Sequence, residues 1–85
     1  MQISEKSIQD TIDCIIGSLR RESLECFSDF MLDDSYWHTR SKLEGLRLLF
    51  IEQPGIIARI DAAMLETEQS RAAGKARLAS GQMAA

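Results

Sequence analysis

The apolar residues in the first third of the chain recur with the period of an α-helix. At about 100° per residue, the following positions fall within about 120° of arc, and all but the serine are apolar: Ile8, Ile12, Ile15, Ile16, Leu19, Ser23, Cys26, Phe27 and Phe30. This pattern predicts a first helix of about six turns that begins after Ser4 or Ser7 and continues to Phe30. Gly17 lies inside it and weakens it by about 1 kcal/mol relative to alanine.

A second helix is predicted from about Ser35 to Glu52. The polar run at 33–35 reads as the break before it, because serine and aspartate are good N-cap residues. Its main apolar face consists of Tyr36, Leu43, Leu46, Leu49 and Phe50. A second apolar edge lies on another side of the helix and consists of Trp37, Leu48 and Ile51. A helix with two apolar edges must pack against other protein surfaces on two sides.

The third helix follows the turn signal Gln53-Pro54-Gly55. Its apolar stripe consists of Ile56, Ile57, Ile60, Ala63 and Met64 and extends to about Thr67. Beyond that point Arg71 and Gly74 take the core-facing positions, so residues 70–85 are predicted to be a flexible, alanine-rich basic tail. The sequence therefore predicts an all-α fold, a three-helix antiparallel bundle in a helical domain at 1–69 and a mobile tail at 70–85.

The small size of the chain favours self-association. A domain of 85 residues has a thin margin of stability, which small proteins supplement with disulfides, metals or oligomerisation. Cys14 and Cys26 are about 18 Å apart on one predicted helix, so they are predicted to be free thiols, with a disulfide across a dimer as the alternative. His38 has no zinc-type partner, so no metal site is predicted. We therefore expect a homodimer.

Two sets of residues are candidates for contact with a dimer mate or a partner. The first is the second apolar edge: Trp37, Leu48 and Ile51. The second is an acidic stripe at three- and four-residue spacing: Glu22, Glu25, Asp29 and Asp33. We expect this stripe to contact a basic partner, and the alternative is a solvated helix edge.

Enzymatic function is not predicted. The five glycines are isolated, so no phosphate-binding loop is present. His38 is the only histidine, and alone it cannot build a catalytic site without a nucleophile and an orienting carboxylate. The carboxylate pairs Asp10/Asp13 and Glu22/Glu25 lie on one predicted helix and cannot converge on a metal from facing helices. We expect neither a catalytic residue nor a cofactor.

These features predict a non-enzymatic protein-interaction module. We expect a small bacterial or phage accessory or inhibitory protein that binds and modulates another protein. No signal peptide and no membrane span are predicted, so the expected location is cytoplasmic. The alternative is a small nucleic-acid-associated regulator that uses the Tyr36–Arg47 segment and the basic tail. Its candidate contacts are Arg40, Arg47, Arg71, Lys75 and Arg77. The net charge of −3 makes nucleic acid the less favoured partner.

Overall fold

Three helices form a bundle in the computed structural model, which describes residues 4–81. They are α1 (Glu5–Glu25), α2 (Asp29–Leu49) and α3 (Pro54–Ala79), and the described residues contain no strand. Arg59, near the start of α3, bonds Glu5 at the start of α1. Arg77, near the end of α3, bonds the carbonyl of Ser23 near the end of α1. The helices therefore run up, down and up, and the predicted all-α bundle is confirmed.

The break between α1 and α2 lies earlier than predicted. Cys26 is extended (φ −64°, ψ 154°), and Ser28 caps α2 by accepting a hydrogen bond from the Met31 backbone N–H at 3.2 Å. Asp29 in the first turn adds a favourable interaction with the helix dipole. The predicted break at 33–35 is wrong, because these residues continue a helix that is already capped at Ser28.

Because α1 ends early, two aromatic residues that were predicted to face the core are exposed instead. The predicted stripe of α1 is buried from Ile8 to Cys26, with Ile15 only partly buried. Phe27 and Phe30 were predicted to continue this stripe, but they are 62% and 80% exposed. Since α2 starts in a new orientation after Ser28, the helical period of α1 no longer applies to them.

The third helix is longer than predicted. Its apolar stripe holds Ile56, Ile60 and Ala63 in the core as expected, and the helix continues beyond the end of that stripe near Thr67 to Ala79. The predicted tail at 70–85 is therefore helical at 70–79. Residues 82–85 lie outside the described part of the chain, and the mobility of the segment stays a prediction.

Small residues allow the second half of α3 to pack closely. Thr67 and Gly74 are buried, and a Cβ atom at Gly74 would lie 2.8 Å from Leu32 Cδ2 and 3.2 Å from Ser23 Cα. Leu78 packs on the cluster that contains Leu32. The contact there is made by the close approach of the helices, which is why no stripe of large apolar residues marks it in the sequence.

The core has two parts along the bundle. The first contains Ile8, Ile12, Ile16, Leu43, Ile56, Ile60 and Ala63. The second lies at the joint between α1 and α2 and contains Leu19, Cys26, Leu32 and Tyr36. Leu49 was predicted on the main apolar face of α2, but it is 76% exposed. Leu46 and Phe50 pack on the core at that end instead.

Candidate interaction surfaces

The outward face of α2 carries a row of large apolar side chains. Phe30, Trp37 and Leu48 are 80%, 56% and 75% exposed. Their spacings of seven and eleven residues place them within about 20° of one another around the helix. They therefore form a straight row about 27 Å long, which we call the α2 row. Trp37 and Leu48 belong to the predicted second apolar edge, and the third member of that edge, Ile51, is 55% exposed.

Further apolar side chains are exposed near both ends of α2. The exposed ones are Leu24, Phe27 and Met31 on the side of the α1–α2 joint, and Leu49 and Ile51 where α2 meets the following turn. Leu65 on α3 is the remaining large apolar side chain exposed among residues 4–81. Monomeric soluble proteins rarely expose a contiguous apolar patch of several hundred Å² unless it binds something.

A shallow cavity lies between the two aromatic residues of the α2 row. Phe30, Trp37 and Asp34 line it together with Asp33, His38 and Ser41. We call it the α2 notch. The Trp37 ring is set edge-on against buried Tyr36, with ring centroids 5.0 Å apart, and His38 Nε2 lies 3.5 Å from Asp34 Oδ1. The notch therefore joins aromatic walls to a carboxylate.

The predicted acidic stripe is divided between two helices. Glu22 and Glu25 lie on α1, whereas Asp29 and Asp33 lie on α2. Lys75 Nζ is 3.1 Å from Asp33 Oδ2 and 3.3 Å from Asp29 Oδ1. The four residues therefore do not follow one helix as their spacing predicted, and the second pair is bound by a base of α3, while their contact with a partner stays a prediction.

Asp33 also accepts a hydrogen bond from Arg71 Nε at 3.0 Å. The hydrogen bond from Lys75, aided by that from Arg71, holds the pKa of Asp33 below its usual value. The Asp33 carboxylate raises the pKa of Lys75 in turn. Glu22 and Glu25 form no ion pair with any residue of the described chain, so they are the part of the predicted stripe that the fold leaves without a basic partner.

The five basic residues of the predicted nucleic-acid surface all form hydrogen bonds with other residues of the same chain. Arg40 Nε donates to Glu44 at 3.0 Å and Arg40 also bonds Tyr36 and Glu68. Arg47 Nε donates to Asp61 at 2.9 Å. Hydrogen bonds raise the pKa of both guanidinium groups, chiefly from Tyr36 for Arg40 and from Asp61 for Arg47.

The bases of the predicted tail hold the joint between α1 and α2. Arg77 donates to the carbonyls of Ser23 and Cys26 at 3.0 Å and 2.7 Å. The last turn of α1 contains no base, so Arg77 supplies the cation that its partly negative C-terminal end favours. Arg71 covers the Tyr36 ring, with its guanidinium carbon 4.5 Å from the centroid. These contacts could not be read from the sequence, because they join residues 54, 51 and 35 positions apart.

The remaining polar features among residues 4–81 include two free thiols and an ion pair between α1 and α3. No group of three or more histidine, cysteine or acidic residues in the described part converges on a possible metal position. Cys14 is exposed, Cys26 is buried, and both thiols are free. The groove between α1 and α3 is bridged by Arg20 to Glu66, at 2.9 Å for Nη2 to Oε1. None of the helices in residues 4–81 is long and apolar enough to cross a membrane.

Comparisons with models of protein families, with curated proteins and with solved structures find no match for this chain.

Proposed function

We propose that this chain is a non-enzymatic protein-interaction module, a small bacterial or phage accessory or inhibitory protein that works in the cytoplasm as a homodimer and modulates a macromolecular partner. The observation that carries the proposal is the concentration of exposed apolar side chains along α2 and its two ends. Each Phe or Leu left in water forgoes about 1.5–3 kcal/mol of burial energy. A bound protein surface would recover part of it.

The chemistry of the partner is suggested by the end of α1. Glu22 and Glu25 form no ion pair within residues 4–81, and exposed Leu24 and Phe27 lie beside them in the chain. Apolar side chains bordered by unpaired carboxylates complement a protein surface that is both apolar and basic. We therefore propose that this joint region contacts the partner, and that its binding weakens as salt concentration rises.

The ion pairs of the basic residues favour a protein partner over the nucleic-acid alternative. Arg40, Arg47, Arg71 and Lys75 form ion pairs with carboxylates of their own chain, and a phosphate would have to compete with those carboxylates. Removing residues 71–81 would also take away packing around Leu32, so it would not be a clean test of a basic tail. We keep nucleic acid only as an outcome of the experiment below.

The proposal is tested by affinity capture from extract of the native host, using an N-terminal tag, with and without nuclease, and mass spectrometry as the readout. The test variant is Glu22→Lys with Glu25→Lys. The matched control is Asp10→Lys with Asp13→Lys, which makes the same change of charge at the same spacing on another side of α1. Circular dichroism checks that both variants remain helical.

A stoichiometric protein that survives nuclease, is lost with the test variant and is retained by the control supports the proposal. Capture of nucleic acid alone, lost on nuclease treatment, overturns it in favour of the regulator. Equal loss of the protein with both variants overturns the assignment of the contact to the joint region, since any change of charge on α1 would then suffice.

A further inference from the structure

The α2 row and two exposed neighbours on the same helix, Met31 and Leu49, present nearly the area of one side of a standard protein interface. From the exposed fractions, Phe30, Met31, Trp37, Leu48 and Leu49 together present on the order of 650 Å² to solvent, at about 200 Å² for a large side chain. One partner contributes about 800 Å² to a standard interface. The row is straight and lies on a single helix, so a second straight helix with the same apolar row would cover it along its length.

The charges beside the row are self-complementary. Asp34, with 61% of its side chain exposed, lies about 40° around the helix from Phe30, and Lys42 lies eight residues further along α2 on the same side of the row, about 120° from Phe30. Lys42 is exposed and forms no ion pair within residues 4–81. In an antiparallel pair of helices related by a two-fold axis, each flank faces the same flank of the other helix. An axis that passes beside His38 therefore brings Asp34 of each copy opposite Lys42 of the other.

The residues that line the α2 notch can contact both the stem and the ammonium group of such a lysine. Its walls are Phe30 and Trp37, and Asp34 lies between them. The apolar stem of a lysine packs against aromatic walls, while its ammonium group interacts with a ring face and a carboxylate. The same register brings Trp37 within one turn of Ser41 of the second copy, where a small side chain leaves room for the indole. It also brings Phe30 near Leu48 of the second copy.

We infer that the α2 row is a self-association surface, on which two copies of the chain pair α2 against α2 in antiparallel orientation about a two-fold axis beside His38, each copy seating Lys42 in the α2 notch of the other. This inference rests on the homodimer of the proposed function and specifies its interface. It leaves Glu22 and Glu25 outside the row, for the partner.

The register is tested by a charge swap, followed by sedimentation equilibrium. Asp34→Lys alone places two lysines opposite each other at both ends of the interface, and Lys42→Asp alone places two aspartates there. Each is expected to weaken the dimer at least tenfold. An equimolar mixture of the two variants restores opposite charges at both positions, so a heterodimer should form and be resolved by native mass spectrometry. The matched controls Asp10→Lys and Lys6→Asp change an exposed pair on α1 and should leave the dimer unchanged.

A wild-type chain that stays monomeric to several hundred micromolar overturns the inference. So does a mixture of the two variants that stays monomeric, or a pair of single variants that dimerise as the wild type does. Phe30→Ser should also weaken the dimer, whereas Leu65→Ser on α3 should not, and equal behaviour of these two variants contradicts the interface.

These experiments distinguish a failure of the proposed dimer interface from a failure of the proposed partner binding. A monomeric wild type that still captures its partner through Glu22 and Glu25 overturns the interface on α2 and leaves the interaction role standing. A dimer that shows heterodimer rescue but captures no protein supports the interface and removes the support for the role.

Discussion

Replacing Gly74 with alanine should destabilise the fold, although glycine is a poor helix former. Alanine in the middle of a helix gains about 1 kcal/mol over glycine. At Gly74 the new Cβ would lie 2.8 Å from Leu32 Cδ2 and 3.2 Å from Ser23 Cα. Leu32 is fully buried and Ser23 contributes a backbone atom, so neither can move away freely. Overpacking of this kind costs about 1–3 kcal/mol, and we expect a net loss of about 1 kcal/mol.

Gly17→Ala is the matched control for this change. Gly17 also lies in a helix, but a Cβ added there meets nothing within 4 Å, so the gain in helix propensity of about 1 kcal/mol should appear in full. One kilocalorie shifts the Tm of a domain of this size by about 4–8 °C. The same substitution should therefore raise the Tm at Gly17 and lower it at Gly74. The assay is urea and thermal unfolding followed by circular dichroism, at one protein concentration because a dimer makes Tm concentration-dependent.

Equal stabilisation at Gly17 and Gly74 would refute the close approach of α3 to the joint. A second comparison isolates the contact with Leu32. In a Leu32→Val background the crowding Cδ atoms are absent, so the cost of Gly74→Ala should shrink. Strict additivity of the two changes would contradict the contact, because residues in contact normally show coupling energies above about 0.5 kcal/mol.

Three further predictions follow from the ion pairs and caps. Asp33 has a lowered pKa because of its hydrogen bond with Lys75, so its contribution to stability is present above about pH 4 and is lost as the pH falls through the lowered pKa. The difference in unfolding free energy between wild type and Asp33→Asn, measured with urea, should therefore shrink as the pH is lowered from 7 to 2. Arg77→Ala leaves two carbonyls at the end of α1 without their donor and should cost about 1–3 kcal/mol of unfolding free energy, whereas exposed Arg21→Ala should change it by less than about 0.5 kcal/mol. Ser28→Ala removes the N-cap of α2 and should cost about 1 kcal/mol in the same assay.

The sequence predicted the helices best where large apolar residues recur. Ile12, Leu43 and Ile60 have zero exposure, and each stands in a stripe that was visible from spacing alone. Near the break this signal misled, because Phe27 and Phe30 keep the spacing of the stripe after the helix has ended. Ser28 followed by Asp29 was a usable cap signal, but the denser polar run at 33–35 outweighed it.

The second half of α3 was harder to predict for a different physical reason. Its packing relies on Gly74, which leaves no hydrophobic signal in the sequence. Its bases are neutralised by groups that only the folded chain brings near, such as Asp33 beside Lys75. A local count of charge therefore suggested a solvated tail. Of the candidate surfaces, the exposed edge at Trp37 and Leu48 was found because both residues lie on one helix.

The hydrogen bonds of Arg77 tie two distant parts of the chain to a single opening event. Ser23 and Arg77 are 54 residues apart in sequence. The carbonyls at the end of α1 nevertheless lose their hydrogen bonds from Arg77 only when the last turns of α3 move. Fraying of the end of α3 and opening of the joint between α1 and α2 should therefore occur together, as one cooperative unit in native-state hydrogen exchange. Amide protons near Glu25 and near Leu78 should exchange with the same opening free energy. A ligand that peels away the end of α3 would then also change the angle at which α2 leaves α1.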